Sequence, residues 1–433
     1  MSKLEELIKE FCPNGVEYKP LWSLTAWDKR FNGIDRSMQK KVVSYKYYLS
    51  SEFNEVERKD GDILYIPTGI TNEKRYTTEE LAGEYLAEGE IVCIPWGGTP
   101  NVKYHKGKFV TGDNRIATSL DTNILDNKYL YYWMQSKIDL IASFYRGAGI
   151  QHPSMKSVLE LQIPLPALPV QREIVRILDS FTLYSAELTA ELTARRKQYE
   201  FYRDKLLHYE CCNKIETIGE NIEWLKTGLN PRQNFKLNEP EANCFYITGK
   251  DIFNNRVNVT EKTDKITQNT VLLINKRANL QDNILLFAST GTGTVGRMAV
   301  IDRYDFSWNV SETMYCIKPK GNKLLVKYLM YFLYSQTARN EFEPKISKGS
   351  VPHLKVADLL NVHINLPPMD VQERIVKVLD NFDAICSDLG IGLPAEIEKR
   401  QKQYEYYREK LLTFDGKYAT ILTERNGTER NAD

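Results

Sequence analysis

The stretch Ile163-Pro-Leu-Pro-Ala-Leu-Pro-Val-Gln-Arg-Glu-Ile-Val-Arg-Ile-Leu-Asp-Ser-Phe181 returns as Ile364-Asn-Leu-Pro-Pro-Met-Asp-Val-Gln-Glu-Arg-Ile-Val-Lys-Val-Leu-Asp-Asn-Phe382, identical at 10 of 19 positions. A second match follows in each case: Arg195 to Leu207 agrees with Arg400 to Leu412 at 10 of 13 positions. Agreement at that level marks a tandem duplication. Duplicated halves can pack around a pseudo-two-fold axis, and such a molecule suits a two-part target as a dimer suits a palindrome.

The copied parts read as helices. Prolines open each one (Pro164, Pro166, Pro169; then Pro367, Pro368), where a fixed φ favours a helix start. In the first copy an apolar seam runs through Ile174, Leu178, Phe181, Ser185, Leu188, Leu192, Arg195, Tyr199, Tyr202 and Leu206, spaced 4, 3, 4, 3 as in a coiled coil. The second copy reads Ile375, Leu379, Phe382, Cys386, Leu389, then Ile397, Arg400, Tyr404, Tyr407 and Leu411. Eight residues separate Leu389 from Ile397 where the first copy uses four, so a break or stutter is expected in Gly390-Ile-Gly-Leu-Pro394, with Pro394 restarting the helix. Such a stripe also suits ordinary core packing inside one globule; two matched long helices fit an antiparallel pair better. Within the first helix Ala186-Glu-Leu-Thr-Ala-Glu-Leu-Thr193 uses a four-residue unit twice. One unit rises about 6 Å, somewhat under two base-pair steps of about 3.4 Å. It serves equally as a plain helical spacer or as a tunable ruler.

At 433 residues the chain has room for two or three domains with cores of their own. Its 42% hydrophobic and 27% charged content is that of a soluble protein, and no apolar run is long enough to span a bilayer. The acidic, amphipathic start Met1-Ser-Lys-Leu-Glu-Glu-Leu is unlike a signal peptide. Seven scattered cysteines, with Cys211-Cys212 the only close pair and no C-x-x-C, point to a reduced, cytoplasmic setting and away from a zinc site.

Two segments, about 15–160 and 215–360, differ in sequence but share a layout. Each has two strand-like runs: Gly61 to Ile66 and Glu90 to Trp96, then Cys244 to Thr248 and Asn283 to Ala288. A glycine loop follows the second run (Trp96-Gly-Gly-Thr-Pro100; Thr290-Gly-Thr-Gly-Thr-Val-Gly296), then a helix-like stretch (Lys128 to Met134; Lys327 to Leu333). A basic loop closes each segment (Arg146 to His152; Lys345 to His353). Gly291-Thr-Gly293-Thr-Val-Gly296 imitates a dinucleotide fingerprint, but that fold requires a helix next, and Arg297-Met-Ala-Val-Ile-Asp reads as a strand. The Asn/Asp-Pro-Pro-aromatic signature of amino methyltransferases, a Walker loop, G-x-S-x-G and H-E-x-x-H are all missing from the sequence. A long chain without catalytic motifs is expected to recognise rather than react.

A net charge of +1 and a pI near 7.5 are weak for a nucleic-acid binder. The charge is uneven, however. Lys103, Lys106, Lys108 and Arg115 cluster in the first segment and Lys276, Arg277 and Arg297 in the second, on stretches that also hold Asn, Gln, Ser and Thr.

The proline linkers, Gln171-x-x-Ile-Val-x-x-Leu-Asp179 with its copy Gln372-x-x-Ile-Val-x-x-Leu-Asp380, and the Lys-Gln-Tyr-Glu-(Phe/Tyr)-Tyr-Arg endings resemble the conserved regions of the DNA-specificity subunit of type I restriction-modification enzymes. Leu4 to Tyr18 and its partial echo at Ile222-Glu-Trp224 fit the same pattern, so the resemblance covers essentially the whole chain. It implies an α+β fold: two tandem mixed α+β target-recognition domains, joined by two long antiparallel coiled-coil helices with pseudo-two-fold symmetry. The expected boundaries are 1–160 and 213–361 for the domains, 161–212 and 362–415 for the spacer helices, and 416–433 for a tail.

By the same resemblance the subunit reads a split double-stranded DNA target and does no chemistry itself. It binds no metal or cofactor. Two methyltransferase subunits bring S-adenosylmethionine; two ATP-dependent restriction-translocase subunits bring ATP and Mg. The spacer helices, about 50 Å long for roughly 33 residues, set the unread gap. The contrasting expectation is a helical adaptor without sequence-selective DNA binding. Loop placement assigns Trp96, Thr99, Asn101, Lys103, Arg115, Arg146, Gln151 and His152 to a first reading surface. A second would comprise Thr248, Lys250, Thr290, Thr292, Thr294, Arg297, Asn309, Lys348, Ser350 and His353. His152 and His353, at equivalent places ahead of the two linkers, also suit structural pins, and that is the preferred reading. Helix-pair packing is assigned to Ile174, Leu178, Phe181, Leu188, Leu192, Tyr199 and Tyr202, and to Ile375, Leu379, Phe382, Leu389, Ile397, Tyr404 and Tyr407.

Overall fold

The computed structural model describes residues 2–71, 73–208, 215–387 and 392–414. The chain divides into two compact units, Met1–Ala186 with Lys399–Asp433, and Glu187–Glu398. The division passes through the long helices, so each unit holds a mixed sheet domain together with a piece of both spacers.

The first spacer is one uninterrupted helix, Leu168–Leu207. The second is two helices, Met369–Ser387 and Leu393–Leu411. Pro394 is the second residue of the restarted helix, as its fixed φ requires. The expected glycine break falls largely on residues 388–391, which lie outside the described residues, as does Leu389.

Inside the first unit the two spacer pieces run antiparallel. Phe181 stacks on Tyr407 at 5.6 Å and meets Tyr404 at 6.5 Å. Arg400 lies 5.1 Å over the Tyr184 ring, while Ile174 and Leu178 share a core with Leu412 and Tyr404. The second unit repeats the arrangement: Phe382 meets Tyr199 at 6.3 Å and Tyr202 at 6.0 Å, and Ile375 and Leu379 share a core with Leu207. The seam is therefore closed by aromatic residues. Further along, Leu188 is buried, Leu192 and Ile397 are half-buried, and the seam residue Arg195 is exposed in an ion pair with Glu191.

Both units contain the same four-strand order. In the first, Thr25–Asp28, Asn114–Ser119, Ala87–Pro95 and Lys103–Thr111 lie side by side; in the second, Ile222–Thr227, Met314–Pro319, Ile284–Ala288 and Met298–Ile301 do. The run Ile284-Leu-Leu-Phe-Ala288 is buried at every position, as a central strand covered on both faces must be. The domains diverge around this unit. Ile63–Ile66 extends the first sheet by pairing parallel with Lys103–Thr111, to seven strands in all. The corresponding run Cys244–Ile247 instead joins Trp308–Val310 and Lys265–Ile266 in a separate sheet. The shared layout holds in the central four strands and in the helix that follows them, Asn127–Ser136 or Val326–Tyr334, while the first strand-like run of each segment takes different partners. Met298–Ile301 follows the glycine loop as a strand, so the G-x-G-x-x-G match is not a nucleotide fold.

The repeated linker motif ties each helix to its domain. Gln171 is fully buried; its Oε1 accepts from Asp126 N at 2.9 Å and its Nε2 donates to Ile124 O and Pro166 O at 2.8 Å each. Gln372 repeats this with Leu325 N, Lys323 O and Pro367 O. Asp179 accepts from Tyr132 Oη at 2.6 Å and Lys128 Nζ at 2.7 Å; Asp380 accepts from Tyr331 Oη at 2.6 Å and Lys327 Nζ at 3.0 Å. Burial and these carboxylates push both tyrosine hydroxyls far above their ordinary range, so they remain donors at any physiological pH. A glutamine with its amide satisfied on both sides positions a helix more specifically than an apolar side chain would, because a shifted register leaves buried polar atoms unpaired.

Candidate nucleic-acid interface

In the first unit the strand Ala87–Pro95 runs into the loop Trp96–Pro100, which a second loop, Arg146–Gln151, crosses. Gly98 N donates to Gln151 O at 3.2 Å, and His152 donates from Nδ1 to Trp96 O at 2.8 Å. A Cβ at Gly97 would lie 2.7 Å from Cγ2 of the exposed Ile150 and 3.2 Å from the His152 ring, so glycine there lets the two loops cross without displacing those side chains. Trp96 has Arg115 over its ring at 4.0 Å and the His152 ring at 5.0 Å.

The second unit builds the same crossing from different residues. The strand Ile284–Ala288 runs into the loop Thr290–Gly296, and Gly291 N donates to Pro352 O at 3.0 Å. Leu354 N donates to Ser289 O at 2.9 Å, and His353 Nδ1 shares a 2.8 Å hydrogen bond with Thr290 Oγ1. Gly291 adopts φ +127°, open to glycine and strained for other residues. Each unit therefore presents two loops locked together by a histidine at equivalent sequence positions.

A sequence model for the type I restriction modification DNA specificity domain matches the chain twice, over residues 43–195 and 214–399. The chain belongs to the type I restriction-modification specificity subunits. It is 34% identical over 377 residues to the EcoR124I/EcoR124II specificity subunit of Escherichia coli, spanning 83% of this chain and 90% of that one. It is 30% identical over 353 residues to a putative type I restriction enzyme specificity subunit of Haemophilus influenzae, spanning 76% and 84%. Its fold is similar to the crystal structure of a type I restriction-modification S subunit from M. genitalium, with TM-score 0.54 at 16% identity, covering 92% of this chain and 96% of that one.

In this specificity subunit the predicted surface residues separate by burial. Thr99, Arg146 and Gln151 are exposed on the first pair of loops, and Thr292, Lys348 and Ser350 on the second. Arg297 is exposed with one 3.4 Å hydrogen bond to Ile252 O, and Lys250 is exposed but paired with Asp264 at 3.4 Å. His152 and His353 are the pins described above.

Several assignments are corrected by the interior. Asn309 is fully buried and donates to Val271 O at 3.1 Å, so it belongs to the core of the second unit. Lys103 turns its ammonium onto Pro67 O and Thr68 O, and burial lowers its pKa. Asn101 donates to Thr68 O and Thr99 O and braces the loop. Arg115 is 6% exposed and bonds Asp113 at 2.8 Å. Thr248 closes a capping box with Asp251, and Thr294 Oγ1 donates back to Thr290 O. Trp96, Thr290 and these residues shape the loops that carry the exposed tips.

Sequence reasoning missed the basic run Lys29-Arg-Phe-Asn-Gly-Ile-Asp-Arg-Ser-Met-Gln-Lys-Lys41, five cations against one carboxylate. Its composition was legible; its place beside Trp96 was not, because that proximity exists only after the sheet forms.

Proposed function

We propose that each unit of this specificity subunit reads one half of a split double-stranded DNA target through its pinned pair of loops. The carrying observation is the repetition of one construction, a glycine loop after the central strand locked by His152 or His353, on two domains whose loop sequences differ. A shared frame with unlike tips is what two different half-sites require. The spacer helices fix the unread gap. They dock two methyltransferase subunits, which supply S-adenosylmethionine and adenine methylation, and two ATP-dependent restriction-translocase subunits, which supply ATP and Mg-dependent chemistry. The chain contributes recognition and positioning and no catalytic group. The complex works in the cytoplasm, where its DNA is. No helix among the described residues is long and apolar enough to cross a membrane. An adaptor that ignores DNA sequence is not favoured, since the family match covers both loop-bearing segments.

The test is adenine-methylation mapping by single-molecule sequencing in cells with this chain and its methyltransferase partner, against cells lacking the chain. Two short defined halves around an undefined gap, seen only with the chain, are the expected result. No new methylation from an assembled complex would defeat the proposal.

A further inference from the structure

The basic run Lys29–Lys41 forms one wall of a cavity of about 390 Å³ in the first unit, with Trp96, Arg115 and Lys156 on the other sides. Four cationic side chains line it, Lys29, Arg30, Arg115 and Lys156, and no carboxylate does. Asp113, behind it, holds Lys29 at 3.5 Å and Arg115 at 2.8 Å through the same oxygen. Arg115 is more than nine-tenths buried, yet its Nε has no hydrogen-bond partner. That nitrogen is screened from solvent and the guanidinium carbon stands 4.0 Å over the Trp96 ring, so Arg115 brings its positive charge, not a free donor, to the cavity. Arg30 and Lys156 are exposed on opposing sides and form no ion pair among the described residues.

The wall is built to stay in place. Lys29 is held at φ +64°, an uncommon left-handed conformation for lysine. Gln39, 4% exposed, fixes that turn by donating from Nε2 to Lys29 O at 3.1 Å and accepting from Phe31 N at 2.9 Å. A flexible basic tail would need no such brace.

We infer that this cavity seats a phosphodiester of the DNA backbone, gripped from two sides by Arg30 and Lys156 and floored by the Lys29–Asp113–Arg115 array. The inference rests on the proposed DNA reading and adds a position to it. The cavity adjoins Trp96, the root of the glycine loop, so a phosphate seated there fixes the register in which the exposed tips Thr99 and Gln151 meet base edges. Such a contact anchors without reading sequence.

The test uses the full chain assembled with its methyltransferase partner, and a duplex carrying the mapped target. R30A/K156A is expected to weaken binding about tenfold, equally on target and on unrelated duplex. It should also make the plot of log affinity against log salt shallower by about 0.9, the value for the one phosphate seated. The methylated motif stays the same. R30K/K156R, which keeps the charge, is expected to bind nearly as the parent does. Methylphosphonates placed one linkage at a time should weaken the parent at one linkage beside the first half-site and leave R30A/K156A unaffected at that linkage. If R30A/K156A keeps the parent's affinity and salt slope while the parent binds selectively, the seat is wrong and the reading stands. A changed preference at the first half-site would show base reading instead, and would also overturn the seat. A parent complex without sequence-selective binding defeats the reading and the seat together.

Discussion

His152 donates from Nδ1 to the main-chain oxygen of Trp96 across 2.8 Å, joining two loops that are 56 residues apart in sequence. The bond is to backbone, so it constrains loop position whatever the loop sequence is. His152→Ala is expected to cost about 1 kcal/mol of stability, and to lower methylation at every genomic target without changing which bases define it. His353→Ala should do the same through Thr290. Thermal unfolding and methylation mapping read the two effects. An altered base preference would mean that the histidine itself touches DNA.

Gln171 and Gln372 are predicted to be the most sensitive exchangeable positions in the linkers. Gln171→Ala removes three hydrogen bonds and strands Asp126 N, Ile124 O and Pro166 O at a buried junction. The expected loss is about 3 kcal/mol. Gln171→Glu should be no better, since it sets a carboxylate against two carbonyls. Denaturant melts of the parallel Gln372 variants should show similar losses; a change under about 0.5 kcal/mol at either site would remove the glutamine from its structural role.

Asp383 gives a pH dependence of definite sign. Burial raises its carboxyl pKa, against hydrogen bonds from Ser387 and Asn255 and with Asp380 nearby. The folded chain therefore binds this proton more tightly than the unfolded chain, whose carboxyl ionises at its ordinary value. Its contribution to stability is present below that value and is lost as pH rises through the folded pKa. Asp383→Asn should flatten this fall and leave the protein at least as stable as its parent at neutral pH. Denaturant midpoints across the range from about pH 4 to 7 check it; a variant less stable at neutral pH would show that the charged form is the stabilising one.

Much of the architecture was legible because duplication repeats local physics. Leu178, Phe181, Leu379 and Phe382 recur at one spacing, and a spacing of that period places side chains on one helix face. The strands Ile284–Ala288 and Met298–Ile301 were legible from apolar runs bounded by glycine. The site was legible only as loops. Lys103 and Asn309 looked like surface residues because polar type and loop proximity are local properties. What spends them, the carbonyls of Pro67 and Thr68 just past the strand Ile63–Ile66 and of Val271 in the helix Gln268–Ala278, comes from 35 to 38 residues away. The roles of Gln171 and Asp179 were equally hidden, although the matched recurrence of Lys128 and Tyr132 as Lys327 and Tyr331 carried the signal.

The exposed tips separate reading from anchoring. Arg146 and Lys348 stand on equivalent loops of the two units, both exposed. If either meets a base edge, its alanine variant relaxes the motif at one half-site and leaves the other intact, with about 1–3 kcal/mol of discrimination lost there. Uniform weakening on all duplexes would make it a phosphate contact instead.

The repeated Ala186-Glu-Leu-Thr-Ala-Glu-Leu-Thr193 lies inside the uninterrupted helix Leu168–Leu207, away from both motif-bearing ends. Thr193 Oγ1 donates to Thr189 O, and Leu188 is the buried residue of the repeat. A third Ala-Glu-Leu-Thr after Thr193 adds about 6 Å of rise and turns the following helix by only about 40°. It therefore keeps another leucine near the same face and leaves the pinned loops of both units untouched. The mapped motif should keep both halves and gain one or two base pairs of gap. An unchanged gap would mean that the helix absorbs the insertion as a local bulge. A lost or altered half-site would mean that spacing and reading are not separable in this chain.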